Sequence, residues 1–183
     1  MSSNIPADLR YKKTLAFLQQ HIPSDYRILD LGTPNLLSKE MQGLGYTVYN
    51  TSGEDFDTQY HSVIESHKVE CYTSFEVFEH LMAPFNILRE IPKGHLVCSV
   101  PLKVWFARAY WDQNNPWDRH YHEFEARQFD WLLEKSGWKI IQSERWASPD
   151  KLRFGLRPLL RFIFPSFYFV YAVKGVDPVS SLK

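Results

Sequence analysis

The chain is expected to fold as an α/β protein with a mostly parallel sheet and helices on both faces. Three observations predict it. Short apolar or β-branched runs alternate with helix-period segments along most of the chain. The first run, RILDLG at 27–32, is stopped by a glycine, as a buried strand entering a tight turn would be. The chain then closes with two strand-like runs, at 138–146 and 166–175.

The elements follow in order. Residues 8–21 place Leu9, Leu15, Phe17 and Leu18 roughly on one face, which predicts a lead-in helix ending before Pro23. After the 27–32 strand, LLSKEMQGLG at 36–45 reads as a helix ending at Gly43 or Gly45. YTVYNTS at 46–52 is β-branched and aromatic, hence a second strand. Residues 53–68 are polar and poorly periodic, with room for one short strand near 62–65. VECYTSFE at 69–76 reads as a strand, 77–91 as a turn and helix, and HLVCSVP at 95–101 as a strand stopped by Pro101. Residues 102–122 are Trp-rich and without period. EARQFDWLLEKSG at 125–137 turns Phe129, Leu132 and Leu133 inward and stops at Gly137, so it is a helix. A basic connection, DKLRFGLRPLLRFIFP, joins the last two strands.

Composition narrows the function. With 183 residues the chain is the size of one domain, 1–183, and 44% hydrophobic residues exclude wholesale disorder. Lys plus Arg and Asp plus Glu both total 21, so the basic excess of a duplex-binding protein is missing and no nucleic acid partner is expected. Two cysteines, Cys71 and Cys98, make neither a disulfide framework nor a four-ligand zinc site, which points to a reducing cytoplasm. Neither a secretory leader nor a transmembrane helix is expected. The apolar 162–173 run is too short to span a bilayer and contains Pro165.

A family resemblance enters here. ILDLG, then SFEVFEHL with Pro84 three residues on, then HLVCSVP, then YHEF before a helix ending in SGW, resemble the class I methyltransferases. The match is best to the small-molecule branch labelled type 11 or type 23, and it covers roughly residues 27–146. It implies a Rossmann-like, seven-stranded sheet with an antiparallel last strand, and S-adenosylmethionine as cofactor with a small-molecule methyl acceptor as partner. Its implied cofactor-binding residues are Asp30, Gly32, Thr33 and Asn35 in the first loop, then Phe75, Glu76 and Glu79 at the exit of the 69–76 strand. Gly32 permits a close ligand approach, and a helix starting near Pro34, with Thr33 as cap, would offer N–H groups to a carboxylate.

The chain also departs from that pattern. Asp30-Leu31-Gly32-Thr33-Pro34-Asn35-Leu36 lacks two of the family's three glycines, so the glycine loop is degenerate. By register, the acid expected to hold the ribose falls on Ser52, with Glu54 and Asp55 as substitutes. The 53–68 segment is short for a helix, a third strand and an adenine loop, so a reduced sheet is expected there.

His80 and His122 are the candidate proton acceptors. Trp105, Trp111 and Tyr121 are the candidate acceptor contacts, in a stretch that is either a lid over an aromatic or lipid-like molecule or a packed flap. His120, His122 and Glu123 have metal-ligand spacing but no further ligand by motif, so no metal is expected. The basic stretch 151–164 is either a helix on the sheet edge or a peripheral membrane contact. The leading function is methyl transfer to a small molecule. The alternative is a binding module of the same fold without catalysis. A nicotinamide dehydrogenase is disfavoured because the G-x-G-x-x-G run is missing.

Overall fold

The computed structural model describes residues 5–147, 160 and 164–179. The element order is α1 (Ile5–His21), β1 (Arg27–Asp30), α2 (Leu36–Gly43), β2 (Thr47–Asn50), α3 (Tyr60–Glu65), β3 (Cys71–Phe75), a 3₁₀ turn (Phe78–His80), α4 (Pro84–Glu90), β4 (Gly94–Pro101), α5 (Ala126–Lys135), β5 (Lys139–Trp146) and β6 (Phe167–Lys174). The strands form one six-stranded sheet in the order β2-β1-β3-β4-β6-β5. β1, β2, β3 and β4 run parallel, and β6 is antiparallel to both its neighbours.

The inner strands β1, β3, β4 and β6 are buried on both faces because their residues alternate between two apolar clusters. Leu29, Tyr72, Leu96, Cys98, Val170 and Ala172 point into the cluster that also holds α4 and α5 side chains such as Leu88 and Phe129. Ile28, Cys71, Val97, Phe169, Tyr171 and Val173 point the other way, against Phe17 and Leu18 of α1 and Met41 of α2. Successive residues of a strand face opposite sides, so an uninterrupted apolar run fills two cores. β5 at the edge is instead half-covered, with alternating burial.

Two expectations are corrected. The short strand near 62–65 is helical: Tyr60, Val63 and Ile64 sit at helical spacing and turn one face onto the core. That removes the third strand of the seven implied by the resemblance, leaving β2 as the sheet edge. The cap of α2 is Asn35 rather than Thr33. Its side chain accepts from the Ser38 amide at 3.0 Å while Ser38 Oγ accepts from the Asn35 amide, so Pro34 precedes the cap instead of opening the helix. The 53–59 segment is anchored to the fold. Asp57 accepts the amides of Met82 and Ala83, both at 2.8 Å, and so ties this segment to the start of α4. Most of the expected membrane contact at 151–164 lies outside the described residues.

Candidate active site

In a parallel sheet, strand register brings residues of neighbouring strands into one row. Asp30 at the end of β1 pairs with Asn50 of β2 and Thr73 of β3. The row is hydrogen-bonded: Thr73 Oγ1 donates to Asp30 Oδ1 at 2.6 Å, and Asn50 Nδ2 donates to Asp30 Oδ2 at 3.0 Å and to the Gly32 carbonyl at 3.2 Å. Asp30 is buried, and desolvation pushes its carboxyl up to about 6 against the pull of those two donors. It braces the turn into Gly32, whose amide returns to the Asp30 carbonyl at 2.8 Å.

Above this row lies a cavity of about 230 Å³. It is bounded by the Asp30–Asn35 turn, by Phe75, Glu76 and Val77 after β3, and by Arg10, Tyr11 and Thr14 of α1. Six of the sequence-expected cofactor residues therefore share one hollow: Asp30, Gly32, Thr33, Asn35, Phe75 and Glu76. Glu76 has φ 57°, a left-handed conformation uncommon for a side chain with a Cβ, and its amide donates to the Ser99 carbonyl at 2.9 Å. Arg10 Nη1 donates to both Glu76 oxygens, at 3.0 and 2.7 Å. Burial raises the Glu76 carboxyl and the Arg10 charge opposes that rise.

The other expected residues lie outside the cavity lining. The amide of Ser52 is taken by Glu54 at 2.6 Å, and Asp55 accepts from the Asp57 amide and from Thr58 Oγ1 at 3.0 and 3.1 Å. These two acids thus serve their own loop. Glu79 is 1% exposed, beneath the flap formed by residues 102–122, and its carbonyl accepts the amides of Tyr121 and His122. His80 Nδ1 donates to the Arg119 carbonyl at 3.1 Å. His122 stacks on Phe124 and holds the Met82 carbonyl through Nε2 at 3.3 Å. On the flap, Trp111 lies edge-on to Tyr121 and beneath the Arg119 guanidinium. Trp105 is 73% exposed, against Phe106 and Phe164.

Arg10, Tyr11, Thr14, Asn50, Thr73 and Ser99 were not singled out from sequence. Asn50 and Thr73 carried a signal, Asn50 as the end residue of β2 and Thr73 as a polar residue inside the β3 run, both in strands that must align with Asp30. Arg10 carried none, because its partner Glu76 is 66 residues away.

A family model described as a methyltransferase domain matches residues 4–143. The chain belongs to the class I S-adenosylmethionine-dependent methyltransferases. S-adenosylmethionine is the cofactor of that family. Solved methyltransferases share the fold at low identity. One is a 1,6-didemethyltoxoflavin-N1-methyltransferase from Burkholderia thailandensis, with that compound and S-adenosylhomocysteine bound. It is 13% identical with a TM-score of 0.56, over 95% of this chain and 92% of that one. A SAM-dependent methyltransferase from Methanosarcina mazei is 12% identical with a TM-score of 0.59, over 88% and 98%. The cyclase SpnF is 12% identical with a TM-score of 0.58, over 93% and 82%, so the fold by itself does not name a reaction. No curated protein matches the chain. Among the described residues, no helix is long and apolar enough to cross a membrane.

Proposed function

We propose that this methyltransferase moves a methyl group from S-adenosylmethionine to a small molecule in the cytoplasm. The observation that carries this reading is the Arg10–Glu76 pair on the rim of the cavity over the β1 turn. The methionine end of the cofactor is a zwitterion beside a positive sulfur. One rim cation and one rim anion match it, and the cavity wall at Gly32 is free of a side chain. The adenosyl end is less well served, since the lining offers no acid after β2.

The cofactor supplies a methyl on a sulfonium that leaves as a neutral thioether. Glu76 and the ring of Phe75 favour positive charge at the end of β3. Arg10 exchanges Glu76 for the methionyl carboxylate, and Thr33 and Asn35 hold the start of α2 against it. The remaining work is to position the acceptor and exclude water, which is proximity rather than covalent help. Trp111 and Tyr121 of the flap contact the acceptor, with Trp105 at its outer edge. Where the nucleophile carries a proton, His122 takes it on Nδ1, because its Nε2 is committed to a carbonyl. The buried free thiols of Cys71 and Cys98 accord with a reducing compartment.

Calorimetric titration with S-adenosylmethionine and S-adenosylhomocysteine tests the reading. Binding by the native chain, and a loss of about tenfold or more in Arg10→Met, is the expected result. No heat at millimolar ligand would reject it. One observation favours a second reading, a binding module without transfer: the cavity lining holds no acid from the segment after β2 to grip the ribose. Binding without transfer of labelled methyl to any extract component would select it.

A further inference from the structure

One cluster beside the cavity is left unexplained by methyl transfer. Neither carboxylate oxygen of the buried Glu79 has a hydrogen-bond partner among the described residues. A buried carboxylate with no donors is costly, and burial accordingly pushes this carboxyl well above its ordinary range. Two imidazoles stand close to it. His80 Nε2 lies 3.7 Å from Glu79 Oε1, and the His120 ring stands edge-on to that of His80 with centroids 4.8 Å apart. One ligand atom from each of Glu79, His80 and His120 falls within 4.8 Å of the other two.

The backbone fixes this meeting. Glu79 and His80 sit on the 3₁₀ turn after β3. The flap is pinned on that turn by the Tyr121 and His122 amides, at 2.8 and 3.1 Å from the Glu79 carbonyl. His120 is held by its own amide on the Tyr110 carbonyl at 3.0 Å. The His80 tautomer follows as well. Its Nδ1–H is used on the Arg119 carbonyl, which leaves the Nε2 lone pair toward the carboxylate. A metal-bound histidine has this same outer hydrogen bond.

We propose that Glu79, His80 and His120 form a binding site for a divalent transition-metal ion of the zinc type. Two imidazole nitrogens and one carboxylate oxygen are the donor set that zinc accepts, and three protein ligands leave a position open for water or a substrate atom. Metal–ligand bonds of about 2.0–2.2 Å put tetrahedral ligands roughly 3.3 Å apart. The trio reaches that spacing by drawing the two part-exposed imidazoles inward. The ion supplies the direct partner that the Glu79 oxygens lack among the described residues, where only the Arg10 charge, itself paired with Glu76, opposes the effect of burial. The set differs from the His120, His122 and Glu123 grouping of the linear sequence, because the His122 ring is occupied by Phe124 and Met82. The site stands whether or not the chain transfers methyl groups.

The test uses the full chain without a histidine tag, stripped by chelator and dialysed against micromolar Zn(II) or Co(II). One ion per chain is expected, with the visible absorption of a low-coordinate Co(II) site. Glu79→Gln and His120→Ala should each weaken zinc binding about tenfold or more, while His61→Ala, at an exposed histidine paired with Glu90, leaves it unchanged. Failure to bind, or equal binding by the Glu79→Gln and His120→Ala variants, overturns the proposal. Nitrogen-15 spectra of the native chain guard against misfolded variants. Zinc should shift the His80 and His120 ring nitrogens, and unshifted signals would mean that Glu79 is a buried neutral acid.

Discussion

β4 and β6 pair over eight residues, buried on both faces, whereas β1 and β2 pair over only four. The long half of the sheet is mostly apolar: Phe169 stacks on Trp146 at 3.8 Å and meets Phe17 edge-on. The short half ends in a polar row and an ion pair, and its outermost strand is missing relative to the seven expected. The difference teaches how one sheet divides stability from function. Uninterrupted burial on one side supports charged and strained groups, such as Asp30 and Glu76, on the other.

Substitutions can break this division, starting with the largest effect. Phe169→Ala, at 0% exposure, should cost about 3–5 kcal/mol in urea-unfolding free energy, since it opens a cavity between α1 and the sheet. A loss near 1 kcal/mol would show that the long half is more plastic than its packing suggests.

The next effect is a pH slope from the short half. Asp30 titrates near 6 in the fold against an ordinary 3.8, so the native state holds an extra proton between those values. Its contribution to stability is therefore full below about pH 4 and is lost as pH rises through about 6, a change of about 3 kcal/mol. Glu79, raised in the same direction, adds a slope of the same sign. The difference between native chain and Asp30→Asn, measured with chelator present, isolates Asp30. Equal slopes in the two would remove the claim that this carboxyl is desolvated.

Asn35→Ala should lose about 1 kcal/mol by removing the α2 cap, read as a shifted melting midpoint. Arg10→Met sharpens the comparison from its small end. The ion pair is partly solvated, so folding stability should change by no more than about 1 kcal/mol while ligand affinity falls. A large stability loss would move Arg10 from the site to the scaffold.

Where strands are fully buried, the sequence was easy to read. RILD, CYTSF and FYFVYAV carry their own apolar signal, and their observed ends differ from the expected ones by a residue or two. The 62–65 segment misled because four polar-flanked residues show either period, and only the core beneath Val63 and Ile64 decides between them. The first-loop residues and Phe75–Glu76 were legible as site candidates because a glycine-stopped strand and the FEVFEHL stretch mark them. Ser52, Glu54 and Asp55 were placed by register alone, and the structure turns those two acids to their own loop.

The order of elements, the burial of the strands and the place of the site at their carboxyl ends were determined by the sequence itself, because periodicity and glycine stops act over a few residues. The tertiary structure decided that Arg10 faces Glu76, that Asn50 and Thr73 share Asp30, and that His120 rather than His122 meets Glu79. Those pairings join residues tens of positions apart, and the pairing of β2 and β3 with β1, together with the packing of α1 and of the flap against the end of β3, brings them together.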